Sequence, residues 1–206
     1  MAHHSHPEFV TLHALRIKGF APTPTLAEMA ALPEREVHGH LSVLQAGGHV
    51  KFREQRELWQ LTPDGREHHA DRLAADVAAS GLVHHLAEQY EEFLNLNGAF
   101  KQLCTDWQLR DGAPNDHTDL AYDRDVIGRL DALHAGARPV LGSVGQMLLR
   151  LNPYAPRLDQ VLHRVSSGEH KMFTGVMCGS YHDIWMEFHE DLILTQGISR
   201  AAEGSF

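Results

Sequence analysis

The chain has 206 residues, 43% apolar and 22% charged, the balance of a folded protein of one domain or two small ones. No apolar run is long enough for a membrane span, the N-terminus lacks the apolar stretch of a signal peptide, and Cys104 and Cys178 are too few for a disulfide scaffold; a cytoplasmic protein with reduced, buried thiols is expected. The net charge of −9 is uneven: residues 1–70 hold seven Lys/Arg against eight Asp/Glu, residues 71–206 eleven against nineteen, so any contact with a phosphate backbone has to come from the front.

Residues 1–8 contain His3, His4 and His6 and read as a flexible tail. From Phe9, Val10, Leu12, Ala14, Leu15 and Ile17 fit one short helix closed by Gly19. After the breaker Ala21-Pro22-Thr23-Pro24, Thr25 with Glu28 three residues on has the capping-box spacing and predicts a second helix through Leu26, Met29 and Ala30. Leu32-Pro33 makes a corner, and Glu34 to Ala46 is a third helix with Val37, Leu41 and Leu44 on its apolar face, ended by Gly47-Gly48. Two alternating runs, from His49 to Arg53 and from Leu58 to Leu61, flank a polar tip and predict a β-hairpin. Thr62-Pro63-Asp64-Gly65 opens the next helix.

Helix, short helix, sharp turn, helix, hairpin, helix is the order of a winged helix-turn-helix. The stretch TLAEMAALPEREVHGHLSVLQAGGHVKF followed by LWQLTPDGRE resembles the DNA-binding region of MarR-type and related winged-helix regulators, over residues 9–70. The resemblance implies that the third helix enters a major groove and the hairpin lies along the neighbouring groove or backbone. The groove face would then be Arg35, His38, His40 and Ser42, off the apolar stripe, with Thr25 and the wing residues Lys51, Arg53 and Arg56 on phosphates. Gly39 departs from the Arg or Lys that many such regulators carry there, and Glu34 and Glu36 make the helix poorly charged for DNA.

Residues 71–206 read as an all-α domain for dimerisation and ligand sensing. Ala79, Val83, Leu86, Tyr90, Phe93, Asn97, Phe100, Cys104 and Trp107 form one seam at 4,3 spacing. Val126, Leu130, Leu133, Ala137, Val140, Val144, Met147 and Leu151 form a second, with Pro139 expected to bend it. The seams can pack within one chain or build a homodimer, Asn97 being either a register-setting or an ordinary satisfied polar residue. Between them lies a polar connector. Asp106, Trp107, Arg110, His117 and Asp119 can rim a ligand pocket, or Asp116 and Asp119 are helix caps and Arg110 a surface ion-pair partner. A short helix over 156–167 and a final helix beginning near Ser180 follow. On the last, Tyr181, His182, Trp185 and His189 are ligand-binding candidates. His182 and His189, seven apart, are too widely spaced to hold a metal or haem without another helix.

No GxSxG, phosphate loop, HExxH or CxxC occurs, so no catalytic residue and no cofactor is assigned. The expectation is a homodimeric regulator that binds a double-stranded DNA operator, modulated by a small molecule. The alternative is a module whose winged helix contacts protein, and the third reading is a helical metal- or haem-binding protein or enzyme.

Overall fold

A computed structural model describes residues 2–198, and the fold is mainly α. The front holds α1 (Pro7–Lys18), α2 (Thr23–Ala30), α3 (Glu34–Ala46) and a hairpin of β2 (Val50–Arg53) and β3 (Leu58–Leu61). Gly19, at φ +80°, closes α1 as expected, because its left-handed backbone turns the last N–H back onto Leu15 O. The hairpin pairs Val50 with Leu61 and Arg53 with Leu58, and the two-residue strand β1 (Phe20–Ala21) adds to its other edge in the order β1-β3-β2. No periodicity announces a strand of two residues; it forms because β3 offers a free edge beside it.

The second helix differs from the capping-box expectation. It begins at Thr23, with Pro24 in its first turn where a missing N–H costs nothing, so Thr25 lies inside the helix and caps nothing. Thr23 instead accepts a hydrogen bond from Trp59 Nε1 at 3.1 Å. The helix that Thr62-Pro63-Asp64-Gly65 opens starts at Pro63, and the Thr62 hydroxyl caps it by accepting from Gly65 N at 2.9 Å.

The back consists of α4 (Pro63–Ser80), α5 (Val83–Gln108), α6 (Leu120–Met147), a 3-10 turn at Leu149–Leu151, α7 (Tyr154–Ser166), α8 (Lys171–Thr174) and α9 (Tyr181–Gln196). Helix α4 runs straight through residue 70, so no linker separates front from back there. The first seam is not continuous, because Gly81 in a left-handed conformation ends α4 and α5 starts afresh at Val83. The connector folds into a small ladder of β4 (Leu109–Arg110) and β5 (Ala113–Pro114).

The two seams pack against each other inside the chain. Tyr122 OH and Arg129 reach Asp106, and Gly136 lies against Leu96, so residue numbers on the facing helices add to a nearly constant sum, the signature of an antiparallel pair. Asn97 is buried and its side-chain oxygen accepts from Trp185 Nε1 at 3.0 Å, which makes it a satisfied core residue bracing α5 against α9.

Two separate apolar cores result. One gathers Leu12, Leu15, Leu26, Val37, Leu41, Leu44, Val50, Trp59 and Leu61. The other holds α5, α6, α7, α8 and α9 around Phe93, Phe100, Phe173, Tyr181, Trp185 and Phe188. The N-terminal stretch, expected to be flexible, is docked: His3 N donates to Met147 O at 2.8 Å, Leu149 N to His3 O at 3.1 Å, and the His3 ring meets Asp76 at 2.8 Å. Among the described residues no helix is long and apolar enough to cross a membrane.

Candidate nucleic-acid interface and the polar junction behind it

Helix α3 shows how its own sequence sorts it. Val37 and Leu41 are fully buried and Leu44 nearly so, while Arg35, His38, Gly39, Ser42 and Val43 are exposed on the opposite face. Ser42 bonds back to His38 O at 2.9 Å, which leaves its hydroxyl on the helix surface. His40 does not join this face. Its Nδ1 lies 2.9 Å from Thr11 Oγ1, so the half-buried ring is a strut between α3 and α1. Val43 is 60% exposed, an apolar side chain that polarity-based reasoning passed over although it stands among the groove candidates. On the hairpin, Arg53 and Arg56 are exposed and Lys51 is half-exposed; Arg53 Nε donates to Gln60 Oε1 at 3.2 Å. Thr25 lies elsewhere, lining a cleft that faces α9.

The root of the hairpin is held by close approach rather than by side chains. A Cβ on Gly65 would sit 1.8 Å from His49 O, so only glycine lets α4 start against the base of β2. Beside it the His49 and His68 rings stack at 4.0 Å, and burial lowers the His68 pKa.

Behind this face, the front and back are joined by buried polar groups that sequence reasoning missed. His13 Nε2 lies 3.0 Å from Asp191 Oδ1 and 3.1 Å from Arg150 Nη1. His13 Nδ1 shares a hydrogen bond with His69 Nε2 at 2.8 Å. Arg150 also donates to Asp191, and to Thr195 Oγ1 at 2.5 Å, while its Nε stands 3.6 Å from Asp76, an ion-pair distance too long for a hydrogen bond. Tyr154 OH donates to the other Asp191 oxygen at 3.1 Å. Burial lowers the pKa of His13, and burial with the neighbouring His13 takes that of His69 down to about 3, so the imidazole pair is neutral. Burial alone would raise the Asp191 carboxyl, but the Arg150 guanidinium and His13 hold it well below the usual range.

A second set closes the same junction nearer the surface. Glu187 takes Lys18 at 2.5 Å and Arg157 at 2.7 Å, Arg157 also reaches Glu28 at 3.2 Å, and Arg16 meets Glu190 at 3.3 Å. Joined through directional bonds, the two cores have a placement set by geometry more than by area.

The expected ligand residues fall into two groups. In the connector, Asp106 accepts from Gln102 and Arg129, Arg110 pairs with Asp119 at 2.9 Å over the Tyr122 ring, and Asp119 caps α6. Asp116 accepts from Thr118 N in a local turn rather than capping a helix. His117, at φ +58°, directs Nδ1 to the buried Asp123 at 3.1 Å and stacks on the buried Trp107. On α9, Tyr181 and Trp185 are fully buried core residues rather than pocket walls, and His189 is buried against Tyr90 and Phe93. Only His182 of the nine candidates reaches the cleft lined by Thr25. Among the described residues no three His, Cys, Asp or Glu converge as metal ligands. Burial pushes the Cys104 thiol up to about 12, the state of an inert core cysteine.

No protein-family model, curated protein or solved structure matches the chain.

Proposed function

We propose that the protein is a DNA-binding transcriptional regulator that inserts α3 in a major groove, lays the β2–β3 hairpin along the adjoining backbone, and acts as a homodimer on a double-stranded operator. One observation carries the reading. Arg35, Lys51, Arg53 and Arg56 cluster on the α3 face and hairpin and form no ion pair among the described residues, whereas the unpaired cations of the acidic back, Arg72, Lys101, Arg124 and Lys171, are spread over α4, α5, α6 and α8, and Arg110, Arg129, Arg138, Arg150, Arg157 and Arg164 there are paired. Cations left without carboxylates on one exposed face are what phosphate contact requires. Val43 among them offers an apolar contact of the kind a thymine methyl accepts. Few phosphates are within reach of a single module, which is the physical motive for two copies reading two half-sites.

The test is selection of bound genomic fragments by the purified protein, followed by a salt titration on the best fragment. A palindromic site is expected, and Arg53→Ala/Arg56→Ala should reduce the slope of log K against log salt by about 2. No enriched site at low salt would refute the proposal and return α3 to the class of protein-contact surfaces.

A further inference from the structure

We propose that the cleft between the front of the molecule and α9 binds a small, uncharged, largely apolar molecule; this does not depend on the DNA reading. The cleft encloses ≈ 480 Å³, inside the range of about 300–1,000 Å³ that small-molecule sites occupy. Ile17 of α1, Phe20 of β1 and Leu58 of β3 form one wall, and Met177 and Met186, before and on α9, the other. Phe20 is 45% exposed and Met177 75%, so each leaves apolar surface in water while facing a shared hollow.

The ligand's lack of charge follows from how the carboxylates and the lysine of the lining are already engaged, while the buried Nδ1 of His182, without a hydrogen-bond partner, is open to an uncharged polar group. Glu187 is held by Lys18 and Arg157, and Glu190 by Arg16. Asp183 accepts the backbone N–H groups of Met177, Cys178 and Gly179 at 3.2, 2.9 and 3.0 Å, which also orders the loop that carries Met177. A charged ligand would leave water without gaining a free counter-charge, whereas an uncharged apolar one covers exposed hydrocarbon at no such cost. The two methionines give that wall an adaptable, polarizable surface, suited to a class of shapes rather than one molecule, and Thr25 adds an uncharged hydrogen-bonding group. Because the walls belong to both halves of the molecule, an occupied cleft holds them at one spacing.

The test uses the whole chain without DNA and two dyes that share a ring skeleton: uncharged N-phenyl-1-naphthylamine and 1-anilinonaphthalene-8-sulfonate, which adds a sulfonate. Fluorescence titration should show saturable binding of the uncharged dye, one per chain, and about tenfold weaker binding of the sulfonate. Met186→Trp, which fills the cleft, should weaken the uncharged dye about tenfold or more. Met177→Glu, in an exposed loop where folding is not at stake, should weaken it as well by placing a carboxylate over the opening. Leu109→Ala, at an exposed apolar residue of the β4–β5 ladder, should leave binding unchanged. Equal affinity for the two dyes, or unaltered binding in either folded cleft variant, would overturn the proposal.

Discussion

His69 makes the stability of this protein depend on pH in a calculable way. Its pKa falls from 6.5 in an exposed chain to about 3 in the fold, through burial and the neighbouring His13. Between those values the unfolded chain binds a proton that the native one does not, so stability is present above pH 6.5 and is lost as pH falls. Linkage puts the loss from His69 alone at about 2 kcal/mol at pH 5, against a negligible amount at pH 7.5. His13 shifts in the same direction, again by burial, and adds to the loss. Asp191, held low by Arg150 and His13, contributes only below the ordinary carboxylate range, so the window from pH 6.5 to about 4 belongs to the histidines. Urea unfolding of wild type and His69→Gln at pH 7.5 and 5.0 isolates the effect. Glutamine keeps an N–H for His13 but cannot take up the proton. Wild type should lose about 2 kcal/mol more than the variant over this interval. Equal losses would refute the reasoning that a neutral, buried imidazole pair joins front and back.

Three further outcomes are expected. Asp191→Ala leaves the Arg150 side chain, 1% exposed, without its principal partner and should lower stability by about 3–5 kcal/mol in urea melts; a loss below about 1 kcal/mol would contradict the junction's role. Gly65→Ala should cost about 3 kcal/mol or more, because its Cβ would overlap His49 O and drive β2 from α4, with loss of amide-exchange protection in the hairpin as the local readout. Gly39→Arg meets no atom within 4 Å at its Cβ, so the fold should be unperturbed while DNA binding strengthens and its salt slope rises by about 1. An unchanged slope would place Gly39 away from the phosphates.

Much of the front was legible residue by residue. The limits of α3 and of the two hairpin strands follow from apolar spacing and turn residues, and the helix starts at Thr62 and, in the back, near Ser180 coincide with hydroxyls that accept from the N–H three positions along. The second helix shows where such reasoning misleads: Thr25 and Glu28 have capping-box spacing, yet Pro24 sits better within a first turn than before it, and the helix starts three residues earlier, with Pro22 rather than Thr25 preceding its first turn. His40 likewise stands off the apolar stripe as a groove residue would, but Thr11 on another helix holds it. Chemical type singles out the ligand candidates on α9, and type does not report burial. Tyr181 and Trp185 are core residues because α5 and α6 close over them, while His182 faces the cleft.

What depends on neighbours along the chain can be read from the residues alone: a mainly α protein, the order of its elements, two amphipathic seams and an acidic back behind a more balanced front. Helical periodicity and capping act over three or four residues, so they leave a local pattern that can be read. Long-range packing sets the rest: the seams pair within one chain, Phe20–Ala21 becomes a strand, and His13, His69, Arg150 and Asp191 meet between the two cores. Those four residues come from separate elements, the Arg150 guanidinium and the His13 ring it touches being 137 positions apart, and single polar residues carry no period. Their meeting is fixed by how two independently packed cores dock, a property that no local pattern encodes.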